Sequence, residues 1–177
     1  MDTQDVIVVG VDGSPESAAA LRFALHDAVR RGALVRIVTA YMQPEYWAAA
    51  YGHVAPPTVE ELVADHTAVV KDVIASVVAE DPVLAPTGGD ATLAAVPVDI
   101  VVVPGPPAKV LIEHSHNAAL LVLGHRGRGG FASAVLGSVG LHSVLHAACP
   151  VTIVRPAKEP ATAPRMDDSG SAFAPTA

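Results

Sequence analysis

The sequence predicts an α/β protein built on an open five-stranded parallel sheet with helices on both faces, and three observations carry that expectation. Five strand-like apolar runs alternate with four helical patterns, the arrangement that right-handed crossovers wind into a parallel sheet. The second run, Leu34 to Ala40, is almost continuously apolar, as strands covered on both faces are. Two strand ends, Val11 and Leu123, lead into glycine-bearing turns. In such sheets ligands sit outside the carboxyl ends of the strands where the strand order reverses, so both turns are expected to face one site.

Val6 to Val11 is a β-branched run closed by Asp12-Gly13-Ser14-Pro15, a buried strand followed by a helix start. Ser14 is the expected N-cap and Pro15 suits the first helical position; Leu21, Ala24, Leu25, Ala28 and Val29 share one helical face until Gly32 ends it. Leu34 to Ala40 follows as a central strand. Residues 42 to 57, with Tyr46, Trp47, Tyr51 and three prolines but no period, read as a long surface loop. Thr58 to Glu61 forms a capping box, and Val59, Leu62, Val63, His66, Val70, Val73 and Val77 lie along one face of a helix reaching Glu80.

Asp81 to Asp90 is a connector, Val98 to Val103 a third strand, and Ala108 to His116 a short helix. Ala119 to Leu123 is the fourth strand, ending in the densest glycine cluster of the chain, Gly124-His125-Arg126-Gly127-Arg128-Gly129-Gly130. Gly137 to Ala148 supports a last helix and Pro150 to Val154 a last strand. Residues 1–156 are therefore expected to form one domain, and 157–177, without amphipathic period, a disordered tail.

With 177 residues, 51% hydrophobic and 16% charged, the chain fits one well-buried core. Eleven basic against eighteen acidic residues give a formal charge of −7, the wrong sign for a protein that gains affinity by releasing counterions from nucleic acid. Mean hydropathy is +0.42, yet no apolar run approaches the roughly 20 residues of a membrane span. One cysteine, Cys149, permits no internal disulfide. The acidic start lacks the basic region of a secretory signal, so the expected location is the cytoplasm.

A glycine-rich turn exposes successive backbone N–H groups that attract phosphate oxygens, and Arg126 and Arg128 add guanidinium donors. Gly137-Ser138 then opens a helix whose free amides, dipole and hydroxyl can hold another phosphate. The plainer alternative is that the glycines only close a strand–helix connection and the arginines are solvated. No Gly-Lys-Ser/Thr P-loop occurs, and the string Gly127-x-Gly129-x-x-Ala132 starts too late for a dinucleotide turn.

The strand around Ile7 with Asp12 at its end, the string Gly124-x-x-Gly127, nine residues, Gly137-Ser138, and the terminal Cys149 to Val154 element together resemble the universal stress proteins, in their single-domain ATP-binding branch. The resemblance covers residues 5 to 155. It implies a Rossmann-like sheet of the adenine nucleotide alpha hydrolase type and ATP as ligand, with magnesium. Gly10 and Asp12 would then approach the nucleotide, Asp12 touching ATP or its magnesium, and Ala40 would flank adenine. Gly124, His125, Arg126, Gly127, Arg128, Gly129 and Gly130, with Gly137, Ser138 and Val139, would wrap ribose and triphosphate. His125 departs from the family, where serine is frequent. The resemblance also implies a homodimer through Val151–Val154, which would remove an exposed edge.

Other constellations rank lower. His142 and His146 stand i, i+4 on a helix without an apparent third metal ligand, and His114 and His116 point apart. Ser14, Ser133 and Ser138 lack a nucleophile elbow, and Cys149 reads as a small hydrophobe. No catalytic residue and no protein metal site is assigned. The expected function is an ATP-binding stress-response regulator. The alternatives are a dimeric interaction module whose pocket is vestigial or holds cyclic AMP, and a slow ATPase.

Overall fold

The computed structural model describes residues 5–42, 57–84, 96–129 and 135–156. Five strands, β1 (Val6–Gly10), β2 (Leu34–Tyr41), β3 (Val98–Pro104), β4 (Leu120–Gly124) and β5 (Val151–Val154), alternate with four helices. These are α1 (Pro15–Arg31), α2 (Val59–Glu80), α3 (Pro107–His114) and α4 (Ser138–His146). The sheet is parallel throughout, in the order β3-β2-β1-β4-β5. The chain first builds outward from β1 on one side, then returns to its other side with β4. The reversal of strand order therefore falls between β1 and β4, the two strands whose glycine turns were expected to converge.

Alternation along the strands divides the core in two. Ile7 and Val9 of β1, Val35 and Ile37 of β2, and Leu120 and Val122 of β4 pack with α1 and α2 residues such as Leu21, Leu25, Val70 and Val77. Val8, Val38, Leu121 and Leu123 face the other way, against Val110 and Leu111 of α3 and the half-buried Val139 of α4. Ile7, Val8 and Val9 are each 0% exposed, which explains a strand apolar on both faces. Burying each such side chain stabilises the fold by roughly 1.5–3 kcal/mol.

Local chemistry sets the helix ends. The Ser14 hydroxyl accepts from the Ser17 amide at 3.2 Å, and Gly32 closes α1 in the left-handed region at φ 65°, where glycine carries no Cβ penalty. On α2 the Thr58 and Glu61 side chains each accept from the other's backbone amide, at 3.1 and 2.8 Å. Several boundaries differ from expectation, most of the strand ends by a single residue. β1 ends at Gly10, although the Val11 amide still donates to the Val38 carbonyl at 3.0 Å. α3 starts at Pro107 and stops at His114, leaving His116 outside it. α4 stops at His146 because Ala147 turns extended, ψ 143°, on the approach to Pro150. No described helix is long and apolar enough to cross a membrane. The expected tail, 157–177, and the aromatic loop with Tyr46, Trp47 and Tyr51 lie outside the described residues.

Candidate functional site

At the carboxyl end of β1 the chain passes so close to its neighbours that a Cβ on Gly10 would meet Leu123 at 2.8 Å and Leu111 at 3.2 Å. Asp12 follows. Its Oδ1 accepts from the Ser14 amide at 3.0 Å and from the Ser14 hydroxyl at 2.5 Å. Its Oδ2 accepts from the Arg128 amide at 3.1 Å. That last bond joins the β1–α1 turn to the glycine turn after β4, so the two turns expected to face one site are tied together. Partial burial alone would push the Asp12 carboxyl up, but the donors from Ser14 and Arg128 outweigh it and hold the carboxyl below its ordinary value.

The glycine turn is equally constrained. A Cβ on Gly124 would lie 2.8 Å from the Glu16 backbone, so only glycine lets β4 end this close to α1. The His125 amide donates to the Val154 carbonyl, and the Gly137 amide to the His125 carbonyl, both at 2.8 Å. A Cβ on Gly127 would fall onto the Asp12 carboxylate. α4 opens with Gly137 as an N-cap that supplies no side-chain bond. The first amides of a helix have no intrahelical acceptor, and here no cap side chain occupies them.

These elements enclose a cavity of about 530 Å³, within the usual size of small-molecule sites. From β1 it is lined by Gly10, from the β1–α1 turn by Asp12, and from β2 by Ala40. The β4 turn contributes Gly124, Arg126, Gly127, Arg128 and Gly129, and the start of α4 contributes Gly137, Ser138 and Val139. His125 does not line it: its backbone staples the turn, and its Nδ1 is buried without a partner among the described residues. Gly130, Ala132 and Ser133 lie outside the described residues. The Gly137 amide, expected to be free for phosphate, is spent on the His125 carbonyl, which leaves the helix-opening amides after it.

The sequence reading missed the opposite wall. Val38 and Thr39 of β2 and Asp65, His66 and Val69 of α2 also line the cavity. A histidine within an otherwise valine-rich helical stripe was the available signal. The remaining clusters stay apart from the cavity: the His142 and His146 rings lie 4.5 Å apart on α4. No group of three or more His, Cys, Asp or Glu able to hold a metal occurs among the described residues. Cys149 packs half-buried against the second core.

The sequence profile of the Universal stress protein family matches residues 4–155. The chain belongs to the universal stress protein family. A universal stress protein of Mycobacterium tuberculosis is 33% identical over 162 residues, covering 87% of this chain and 50% of that protein. This universal stress protein thus spans about half the length of the curated relatives it matches. Its fold is similar to that of universal stress protein UspA from Lactobacillus plantarum, with a TM-score of 0.61 and 21% identity, over 87% of this chain and 100% of that one. It is also similar to a universal stress protein from Archaeoglobus fulgidus solved in complex with dAMP. There the TM-score is 0.51 and the identity 18%, over 86% of this chain and 98% of that one.

Proposed function

We propose that this universal stress protein binds ATP with magnesium in the cavity at the β1–β4 reversal and acts as a nucleotide-dependent stress-response regulator in the cytoplasm. One observation carries the reading. The glycine turn after β4, its two arginines and the uncapped start of α4 line the same cavity, and the Asp12–Arg128 bond locks the first of these to β1. Backbone amides, guanidinium groups and a helix N-terminus all favour the same ligand chemistry, that of a polyphosphate. The archaeal structure solved with dAMP supports an adenine nucleotide as the class.

The residues present fit such a ligand. Glycine at 127 lets the turn close onto Asp12, where a Cβ would collide; with the His125 and Arg128 amides spent on Val154 and Asp12, the guanidinium groups lining the cavity and the start of α4 carry most of the phosphate chemistry. The Ser138 hydroxyl lies beside the first amides of α4, where it can donate to a phosphate oxygen. A bound nucleotide supplies charge and a cleavable anhydride. Magnesium is typically held by phosphate oxygens, water and one or two carboxylates. Asp12, which accepts hydrogen bonds from Ser14 and Arg128, is a cavity-lining carboxylate that would meet the ion. Because the phosphate end offers amides, a hydroxyl and arginines, its chemistry is retention of charge, and binding is ranked above hydrolysis.

The test is to denature freshly purified protein, identify any released nucleotide by mass spectrometry, and titrate the emptied protein with MgATP by calorimetry. Bound or binding ATP that is lost in Gly127→Glu, with the fold intact by circular dichroism, is the expected result. Absence of binding at millimolar ATP overturns the reading.

A second reading, a dimeric interaction module, draws on a different observation. β5 is a sheet edge, and α4 leaves Leu141, Val144 and Leu145 at least half exposed. Pairing of Val151–Val154 with a second copy would close the open edge.

A further inference from the structure

We infer that His66 reads the nucleobase: its Nε2 accepts a hydrogen bond from the 6-amino group of the purine ring seated between β2 and α2. This rests on the nucleotide reading above and adds a specificity-determining residue to it.

The cavity has two chemically different ends. On the β4 side stand the glycine turn and the start of α4, suited to phosphates. On the β2 side stand Val38, Thr39 and Ala40, with Asp65 and His66 of α2, while Val69 lies beside the Arg128 guanidinium over Gly13. A nucleotide with its phosphates at the first end directs its flat ring to the second, where Val38 and Ala40 offer apolar surface and the α2 side chains offer polar atoms.

The orientation of the imidazole follows from its contacts. His66 Nδ1 lies 2.8 Å from the Leu62 carbonyl oxygen, one helical turn back. A carbonyl oxygen only accepts, so Nδ1 carries the hydrogen. A neutral imidazole has one N–H, which leaves Nε2 as a lone-pair acceptor. With Nδ1 engaged by Leu62, Nε2 is the ring atom left to meet a ligand in the cavity that His66 lines. The Tyr41 ring, with its centroid 5.8 Å away and tilted by 49°, packs against the imidazole and limits its rotation. Asp65, the neighbouring lining residue, accepts hydrogen bonds when ionised. The α2 wall therefore presents acceptors, and the complementary ring edge is a donor. A 6-aminopurine offers one, whereas a 6-oxopurine sets a second acceptor against Nε2 and leaves both unpaired.

The experiment uses the full chain and compares binding of MgATP, purine riboside triphosphate, which lacks the 6-amino group, and MgGTP by calorimetry. ATP is expected to bind about tenfold more tightly than the analogue, the scale of one hydrogen bond, and GTP more weakly than ATP. His66→Phe, which keeps a ring against Tyr41, should close the gap between ATP and the analogue, whatever the variant's absolute affinity for the two. His66→Gln, which retains an acceptor, should keep part of the preference. Equal affinities for ATP and the analogue in the unmodified protein overturn the inference while the nucleotide site stands. An undiminished preference in His66→Phe does the same. Failure of the unmodified protein to bind any of the three overturns both.

Discussion

Gly127 and Gly129 stand two residues apart in the same turn, neither has a positive φ, and alanine at the two positions should act oppositely. At Gly129 an added Cβ meets nothing within 4 Å. There the smaller conformational freedom of the unfolded chain should raise stability by about 0.4–1 kcal/mol. At Gly127 the same gain is opposed, because the methyl group falls on Asp12 Oδ2. The carboxylate must swing away, and the Arg128 amide loses the 3.1 Å bond that joins the two turns. A hydrogen bond to a charged group contributes about 1.5–3 kcal/mol, and solvent access to this one lowers that to about 1–2 kcal/mol. The two variants should therefore differ by about 1–2 kcal/mol, or roughly 4 °C in Tm for a chain of this size. Thermal unfolding of the nucleotide-free proteins, followed by circular dichroism, reads the gap. If Gly127→Ala melts as high as Gly129→Ala, the Asp12–Arg128 link does not hold the turns together.

Gly124→Ala should lower the urea midpoint, by about 1–3 kcal/mol of overpacking, because its Cβ would press on the Glu16 backbone at 2.8 Å; an unchanged midpoint would mean that α1 yields freely. The Asp12 carboxyl is held below its ordinary 3.8. Its contribution to stability is complete above that value and disappears as pH falls through the lower folded one. Urea midpoints measured across the acid range should accordingly fall less steeply in Asp12→Asn than in the unmodified protein, and parallel curves would contradict the assignment. Asp12→Ala should weaken MgATP binding without creating or removing steady phosphate release; steady release that vanishes with this substitution would instead establish an ATPase. Sedimentation velocity over a concentration series should detect a dimer that dissociates when Thr152→Pro is introduced into β5, and a concentration-independent monomer would exclude the edge pairing.

Much of the fold was legible because its signals are local. Ser14, Pro15 and Gly32 bracket α1 through bonds to residues no more than a turn away, and the Thr58–Glu61 box spans three residues. Strand apolarity reported burial on both faces. The site was legible where it is built from contiguous glycines, which announce close backbone approach. What the sequence concealed is tertiary. Val70 and Val77 identify the buried face of α2, but nothing local says that Asp65, His66 and Val69 border a cavity, since the opposite wall comes from residues more than fifty positions further on. The engagement of the Gly137 amide by the His125 carbonyl is hidden for the same reason. Periodicity within one element carries no information about which distant acceptor fills a given donor.

The placement of β1 at the middle of the sheet also governs when the pocket can come into being. β1 pairs with β2 at Ile7↔Val35, across the single helix α1, but with β4 at Ile7↔Leu120, a closure spanning most of the chain. Such late, entropically expensive closures slow folding. A nascent chain emerging from the ribosome can zip β1, β2 and β3 while the phosphate-facing turn is still being synthesised. Ligand can therefore reward only the finished sheet, acting as a clasp on completed molecules and offering no template to partly made ones.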